Sequence, residues 1–160
     1  MASDLRISGV EPESIVDGPG FRYVIFTQGC PHGCPGCHNP QTHDFAGGKV
    51  ADIPAILAEV QSDPLLQGVT FSGGEPFCQP APLCAIARAV KGMGKDLVVY
   101  SGYTLEQLLE RGKEDPTVLE LLHLCDTLID GPYIQAQRDL TLRYRGSANQ
   151  RVIDLRAAGL

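Results

Sequence analysis

The stretch Tyr23-Val-Ile-Phe-Thr-Gln-Gly-Cys-Pro-His-Gly-Cys-Pro-Gly-Cys37 carries an apolar, β-branched run, Tyr23 to Thr27, straight into three cysteines. A short continuous apolar run of this kind suits a strand buried on both faces, as in a parallel sheet. Cys30, Cys34 and Cys37 then fall in one loop at the strand's end, spaced by three residues and two. A four-iron, four-sulfur cluster normally takes four cysteine ligands, so a cluster held by three keeps one iron for a ligand other than protein. The same thiols also suit zinc, with His32, His38 or His43 supplying the nitrogen that completes a tetrahedron. Pro31, Gly33, Pro35 and Gly36 favour a tightly wrapped loop in either case, so the spacing leaves both metals open.

Working outward, the apolar runs Gly68–Phe71, Asp96–Tyr100 and Thr127–Asp130 read as further buried strands, and Arg151–Leu155 as a short edge strand. Helical spacing fills the intervals. Asp52 caps a helix through Ile56, Leu57 and Val60, and Pro80 to Met93 carries Leu83, Ile86, Ala87 and Val90 on one face before Gly92 and Gly94 stop it. Thr104 with Gln107 forms a capping box for a helix through Leu108, and Asp115-Pro-Thr117 opens another through Leu121 and Leu122. Each main strand ends in a chemically distinctive loop: the cysteine loop, Ser72-Gly-Gly-Glu-Pro76, Ser101-Gly-Tyr103 and Gly131-Pro-Tyr133. In parallel α/β architectures ligands bind at the carboxyl ends of strands, so these loops are expected to converge on one site. Four or five strands are too few to close an eight-stranded barrel. The expected fold is α/β, an open partial (β/α) barrel with a mainly parallel sheet, residues 1–160 forming a single domain.

Composition narrows the function. At 160 residues, with 43% hydrophobic and 20% charged residues, the chain has the profile of a globular domain with its own core. A net charge of −6 lacks the basic footprint of a nucleic-acid binder. No long apolar run predicts a membrane span, and the N-terminal residues do not read as a secretory signal, so a cytoplasmic location is expected. In that compartment the six cysteines favour metal or catalytic roles over disulfides. Cys84 and Cys125 lie in apolar helical runs and read as core, whereas Cys78, three residues beyond Glu75, is a possible fourth ligand. Arg143, Arg145 and Arg151 form a short basic cluster, read as a solvated or partner-facing loop.

The second motif gives the cysteine loop a context. In Phe71-Ser-Gly-Gly-Glu-Pro-Phe77, adjacent glycines let a ligand approach the backbone and Glu75 can accept hydrogen bonds from an amine. Alone it would be a turn. Together the two motifs resemble those of the radical S-adenosylmethionine enzymes. The resemblance implies one 4Fe-4S cluster on Cys30, Cys34 and Cys37, with S-adenosylmethionine chelating its open iron. It places Ser72, Gly73, Gly74 and Glu75 beside the methionine amino group, and Gly36, Cys37 and His38 toward the adenine end. Asp130, at the end of a predicted strand, can hold a ribose or a cation, or equally cap a helix. Tyr103 and Tyr133 either line the pocket or pack.

A third motif, Asp17-Gly-Pro-Gly-Phe-Arg22, suffices for a tight turn. It also resembles the signature of glycyl-radical enzyme activases, which implies a protein substrate with Asp17 and Arg22 near its glycine loop. The short chain and the stretches Val99–Tyr103, Leu128–Tyr133 and Arg145–Gln150 resemble the activases that serve anaerobic ribonucleoside-triphosphate reductase. The implied chemistry is reductive cleavage of S-adenosylmethionine, fed by a flavodoxin-like donor. The resulting 5′-deoxyadenosyl radical abstracts hydrogen from a glycine of the reductase. Two other readings stand beside it: an enzyme of the same superfamily acting on a free metabolite, in the manner of a deazapurine carboxylate synthase, and a zinc-binding interaction module without catalysis.

Overall fold

The computed structural model describes residues 4–34, 36, 37, 40–139 and 141–159. In chain order its strands and α-helices are β1 (Arg6–Ser14), β2 (Phe21–Thr27), β3 (Lys49–Val50), α1 (Ile53–Ser62), β4 (Leu66–Gly73), α2 (Pro80–Gly92), β5 (Asp96–Tyr100), α3 (Leu105–Gly112), α4 (Pro116–Leu124), β6 (Thr127–Asp130) and β7 (Arg151–Asp154). They build one seven-stranded sheet in the order β3-β1-β2-β4-β5-β6-β7. The central strands β2, β4, β5 and β6 are mutually parallel. The outer strands β1, β3 and β7 are antiparallel to their neighbours. The sheet is therefore open, with its parallel middle where the continuous apolar runs predict it.

Local chemistry sets the boundaries. Asp52 accepts from the Ala55 N–H at the start of α1, and Asp115 from Thr117 at the start of α4. Both sides of the Thr104–Gln107 capping box are made. Val69 and Phe71 of β4, Leu97 and Val99 of β5 and Leu128 of β6 join Leu83, Ile86, Leu108, Val118, Leu121 and Leu122 in one apolar core. Cys84 and Cys125 are buried, as their apolar neighbours imply. Among the described residues no helix is long and apolar enough to cross a membrane.

The nine-residue strand β1 is absent from the sequence reading. Gly9 and Pro12 interrupt its pattern and four consecutive residues, Val10 to Glu13, are exposed, so neither a continuous nor an alternating apolar signature survives. It forms because β2 offers an antiparallel partner, with register irregularities between Ile7 and Gly9 and between Glu11 and Ser14.

Arg22 on β2 corrects the expectation that it faces a partner, because its side chain is wholly buried. Its Nε donates to Thr70 Oγ1 at 2.7 Å, and its terminal nitrogens donate to Val69 O at 2.9 Å and Pro19 O at 3.0 Å. An ion pair of 2.5 Å joins it to Asp96. Thr70 Oγ1 in turn donates to the Asp17 carbonyl at 2.8 Å. A buried guanidinium is tolerated only when paired and hydrogen-bonded, and these partners tie the Asp17–Arg22 turn to β4 and β5. Arg22→Met is expected to lower unfolding free energy by about 3 kcal/mol, since it strands the carbonyls and the anion. Urea denaturation checks this, and a loss below about 1 kcal/mol would mean that the turn holds without the cation.

Candidate active site

At the carboxyl end of the parallel strands lies a cavity of about 360 Å³. Its lining includes Cys30, Cys34 and Cys37 after β2, Ser72, Gly73 and Gly74 at the end of β4, Ser101 and Gly102 after β5, and Gly131 and Tyr133 after β6. The convergence expected of the strand-end loops is thus present. Asp17 also lines it, so the first turn, the cysteine loop and the glycine turn share one space.

Close backbone approach explains the glycines. Gly73 has φ +94°, and a Cβ there would lie 2.6 Å from the Thr27 nitrogen. A Cβ on Gly74 would press into the Gly29 carbonyl, just ahead of Cys30. Backbone bonds seal the contact: Gly74 N–H donates to Thr27 O and Glu75 N–H to Gly29 O, each at 2.8 Å. Gly33 and Gly36 also hold positive φ, +56° and +73°, which the cysteine loop needs to double back between its ligands.

Glu75 lies behind this surface. Its side chain is wholly buried and is not among the lining residues. Its carboxylate accepts from Gly102 N–H at 2.8 Å, from Ser101 Oγ at 2.9 and 3.0 Å, and from Phe77 N–H at 3.0 Å. His32 of the cysteine loop meets it at 2.6 Å through Nε2. The His32 ring also packs edge-on against Tyr103 at 4.5 Å while still lining the cavity. The carboxylate thus joins the ends of β2, β4 and β5.

Burial pushes the Cys30 thiol up, the His32 and Gly33 backbone groups pull it back, and the Glu75 charge raises it again. Metal binding must therefore displace a held proton there. Cys78 sits in the short turn after Glu75 and does not line the cavity. Its thiol is pushed up to about 11, first by burial and then by Glu75. No disulfide joins the six cysteines.

Other predicted residues fall in distinct places. Asp17 accepts from Ser14 Oγ at 2.6 Å while lining the cavity. Asp130 is buried, accepts from Leu105 N–H at 2.7 Å at the start of α3 and pairs with Arg151, so its carboxylate serves as a cap and strap. Gly36 lies against Gln135, outside the lining. His38 lies outside the described residues. The basic cluster divides: Arg143 and Arg151 are exposed, with Arg151 bridging Asp130 and Glu106, whereas Arg145 lines the cavity. The sequence reading also missed Tyr100 and Tyr144 as lining residues, which no metal or turn pattern marks.

Thiols are soft donors suited to iron–sulfur clusters, and three of them line the cavity, although among the described residues they are not drawn together into a metal-holding group. Residues 16–153 match a family model described as a 4Fe-4S single cluster domain, which settles the choice between iron–sulfur and zinc. Fold, cradle and glycine turn together define a protein of the radical S-adenosylmethionine class. The chain is 36% identical over 150 residues to the anaerobic ribonucleoside-triphosphate reductase-activating protein of Vibrio cholerae serotype O1, covering 87% of this chain and 91% of that one. The protein of the same name from Escherichia coli K12 is 34% identical over 154 residues, covering 91% and 96%. The pyruvate formate-lyase-activating enzyme of Clostridium pasteurianum is 37% identical over 130 residues, covering 76% of this chain but 54% of that one. This chain belongs to the family of anaerobic ribonucleoside-triphosphate reductase-activating proteins.

Because Gly74 abuts the Gly29 carbonyl, Gly74→Ala should displace the cysteine loop and cut iron incorporation on anaerobic reconstitution to a small fraction of wild type. Gly92→Ala, where a Cβ meets nothing within 4 Å, is the control and should load normally. Iron and sulfide assays read both, and normal loading of Gly74→Ala would show that the contact does not position the loop.

Proposed function

We propose that this chain activates an anaerobic ribonucleoside-triphosphate reductase, with a 4Fe-4S cluster on Cys30, Cys34 and Cys37 and S-adenosylmethionine beside it. The observation that carries the reading is the sharing of one cavity by the three thiols, the Ser72-Gly-Gly turn and Asp17. When bound, the cluster and S-adenosylmethionine would supply the one-electron reductive cleavage that leads to hydrogen abstraction from a glycine of the reductase.

The chain's own part is placement and exclusion of water. Cys30, Cys34 and Cys37 would hold the cluster as thiolates. Ser72, Gly73 and Gly74 present backbone without bulk, so the methionine end of the cofactor can lie close. Glu75 acts mainly from behind by fixing the cysteine loop through His32 and the next loop through Ser101 and Gly102. Arg22, buried, acts through Thr70 to hold the Asp17 turn.

Asp17 is the partner-facing group in this reading. Val16, which lines the cavity, is 69% exposed, and its neighbour Ile15 is 68% exposed. The cavity therefore reaches the surface beside apolar side chains, as an entering peptide loop requires. A flavodoxin-like donor supplies the electron. A cytoplasmic setting suits a site whose three cysteine ligands must stay reduced.

Anaerobic reconstitution with iron, sulfide, reductant, S-adenosylmethionine and a reductase from the same genome should yield a glycyl radical by electron paramagnetic resonance. Cys34→Ala should lose cluster absorbance and radical formation together. A wild-type protein that cleaves the cofactor but leaves the reductase radical-free would point instead to a free metabolite as substrate. A Cys34→Ala protein with a normal cluster would sink the ligand assignment.

A further inference from the structure

The segment Arg145-Gly-Ser-Ala-Asn-Gln150 closes one side of the cavity, and most of its polar groups are spent on holding itself in place. Gln150 Oε1 accepts from Gly146 N–H at 2.8 Å and Ser147 N–H at 3.1 Å, while its Nε2 donates to Gly131 O at 3.1 Å. Asn149 Nδ2 donates to Pro132 O at 2.7 Å, and Ser147 Oγ donates to Asn149 Oδ1 at 2.6 Å. The segment is thereby fixed to the turn that follows β6.

Arg145 departs from this pattern. Its Nε is buried without a hydrogen-bond partner. Among the described residues its side chain makes one long hydrogen bond, 3.3 Å from Nη1 to the Gln150 carbonyl. Among the described residues no carboxylate forms an ion pair with it, although Asp17 lines the same cavity. Asp139 feels its charge, but that carboxylate is engaged by Thr141 through both N–H and hydroxyl. The preceding residue, Tyr144, holds φ +63°, a left-handed conformation that disfavours a bulky side chain and persists where surrounding structure imposes it. Tyr144 lines the cavity too. A fixed loop, a strained lead-in and an underused guanidinium together describe a site for an anion.

We propose that Arg145 binds the α-carboxylate of the methionine portion of S-adenosylmethionine. A guanidinium has five N–H donors in a planar fork matched to a carboxylate, and most of them are unspent here. The cavity contains the three-thiol cradle and the Ser72-Gly-Gly turn, so a cofactor held there brings its single carboxylate within the enclosure that Arg145 lines. The inference rests on the proposed function for the identity of the ligand, while the anion subsite rests on the loop itself.

The test is a binding cycle on anaerobically reconstituted protein. Dissociation constants for S-adenosylmethionine and for its decarboxylated analogue are measured by equilibrium dialysis on wild type, Arg145→Gln and Arg145→Lys. Removing a charged hydrogen-bonding partner should weaken the carboxylate-bearing ligand by about tenfold or more. The same change should alter affinity for the decarboxylated analogue by less than about threefold, and Arg145→Lys should recover part of the loss. Equal losses for the two ligands, or unchanged affinity for S-adenosylmethionine in Arg145→Gln, would overturn the assignment. Unchanged cofactor affinity with a reduced glycyl-radical yield would place Arg145 against the reductase instead, and also overturns it. If wild type with a full cluster binds no S-adenosylmethionine, the functional reading fails, an outcome distinct from insensitivity to Arg145 alone. Arg145→Lys keeps the charge, so it carries the comparison if Arg145→Gln loses its cluster.

Discussion

The buried carboxylate of Glu75 is the interaction on which the site depends. An ionised carboxylate out of water costs several kcal/mol unless it is hydrogen-bonded and paired. Here the donors come from two further strand ends: His32 from the cysteine loop, and Ser101 with Gly102 from the loop after β5. Phe77 closes the local turn. Moving any of these loops independently leaves a buried charge short of donors, so the cysteine cradle, the glycine turn and the loop after β5 behave as one rigid unit.

Arg22 repeats the principle with the opposite sign. Its guanidinium, wholly buried, is matched by Thr70, backbone carbonyls and Asp96, and it holds the Asp17 turn against the central strands. Two buried charges therefore lie behind the cavity wall, while the wall itself is largely thiols, glycine and serine backbone, and tyrosine. This division leaves the reacting space uncluttered and still positions it within the tolerance that radical chemistry on a bound substrate demands.

Much of this was legible in the residues. The central strands are readable because both faces are covered, which forces continuous apolar runs, and the caps at Asp52, Thr104 and Asp115 follow from local chemistry alone. Strand β1 was not, since a strand with Gly9, Pro12 and four exposed residues has no period to detect. The three-cysteine loop and Gly-Gly-Glu turn gave the location of the site. They could not say which way a charged side chain turns once packed: Arg22 points into the core, Asp130 is taken up by Arg151 and the start of α3, and Arg145 reaches the cavity. Those outcomes depend on neighbours tens of residues away, which a local pattern does not encode.

The reading turns on whether three thiolates leave one iron open to the cofactor. Electron paramagnetic resonance of the reduced, reconstituted protein with and without S-adenosylmethionine addresses this directly, supported by metal analysis. An iron–sulfur protein whose cluster signal changes in g-values when the cofactor is added, and broadens when the cofactor's methionine carries a magnetic nucleus, is expected. A cluster signal indifferent to S-adenosylmethionine, as from an iron already saturated by protein, would refute the open-iron site.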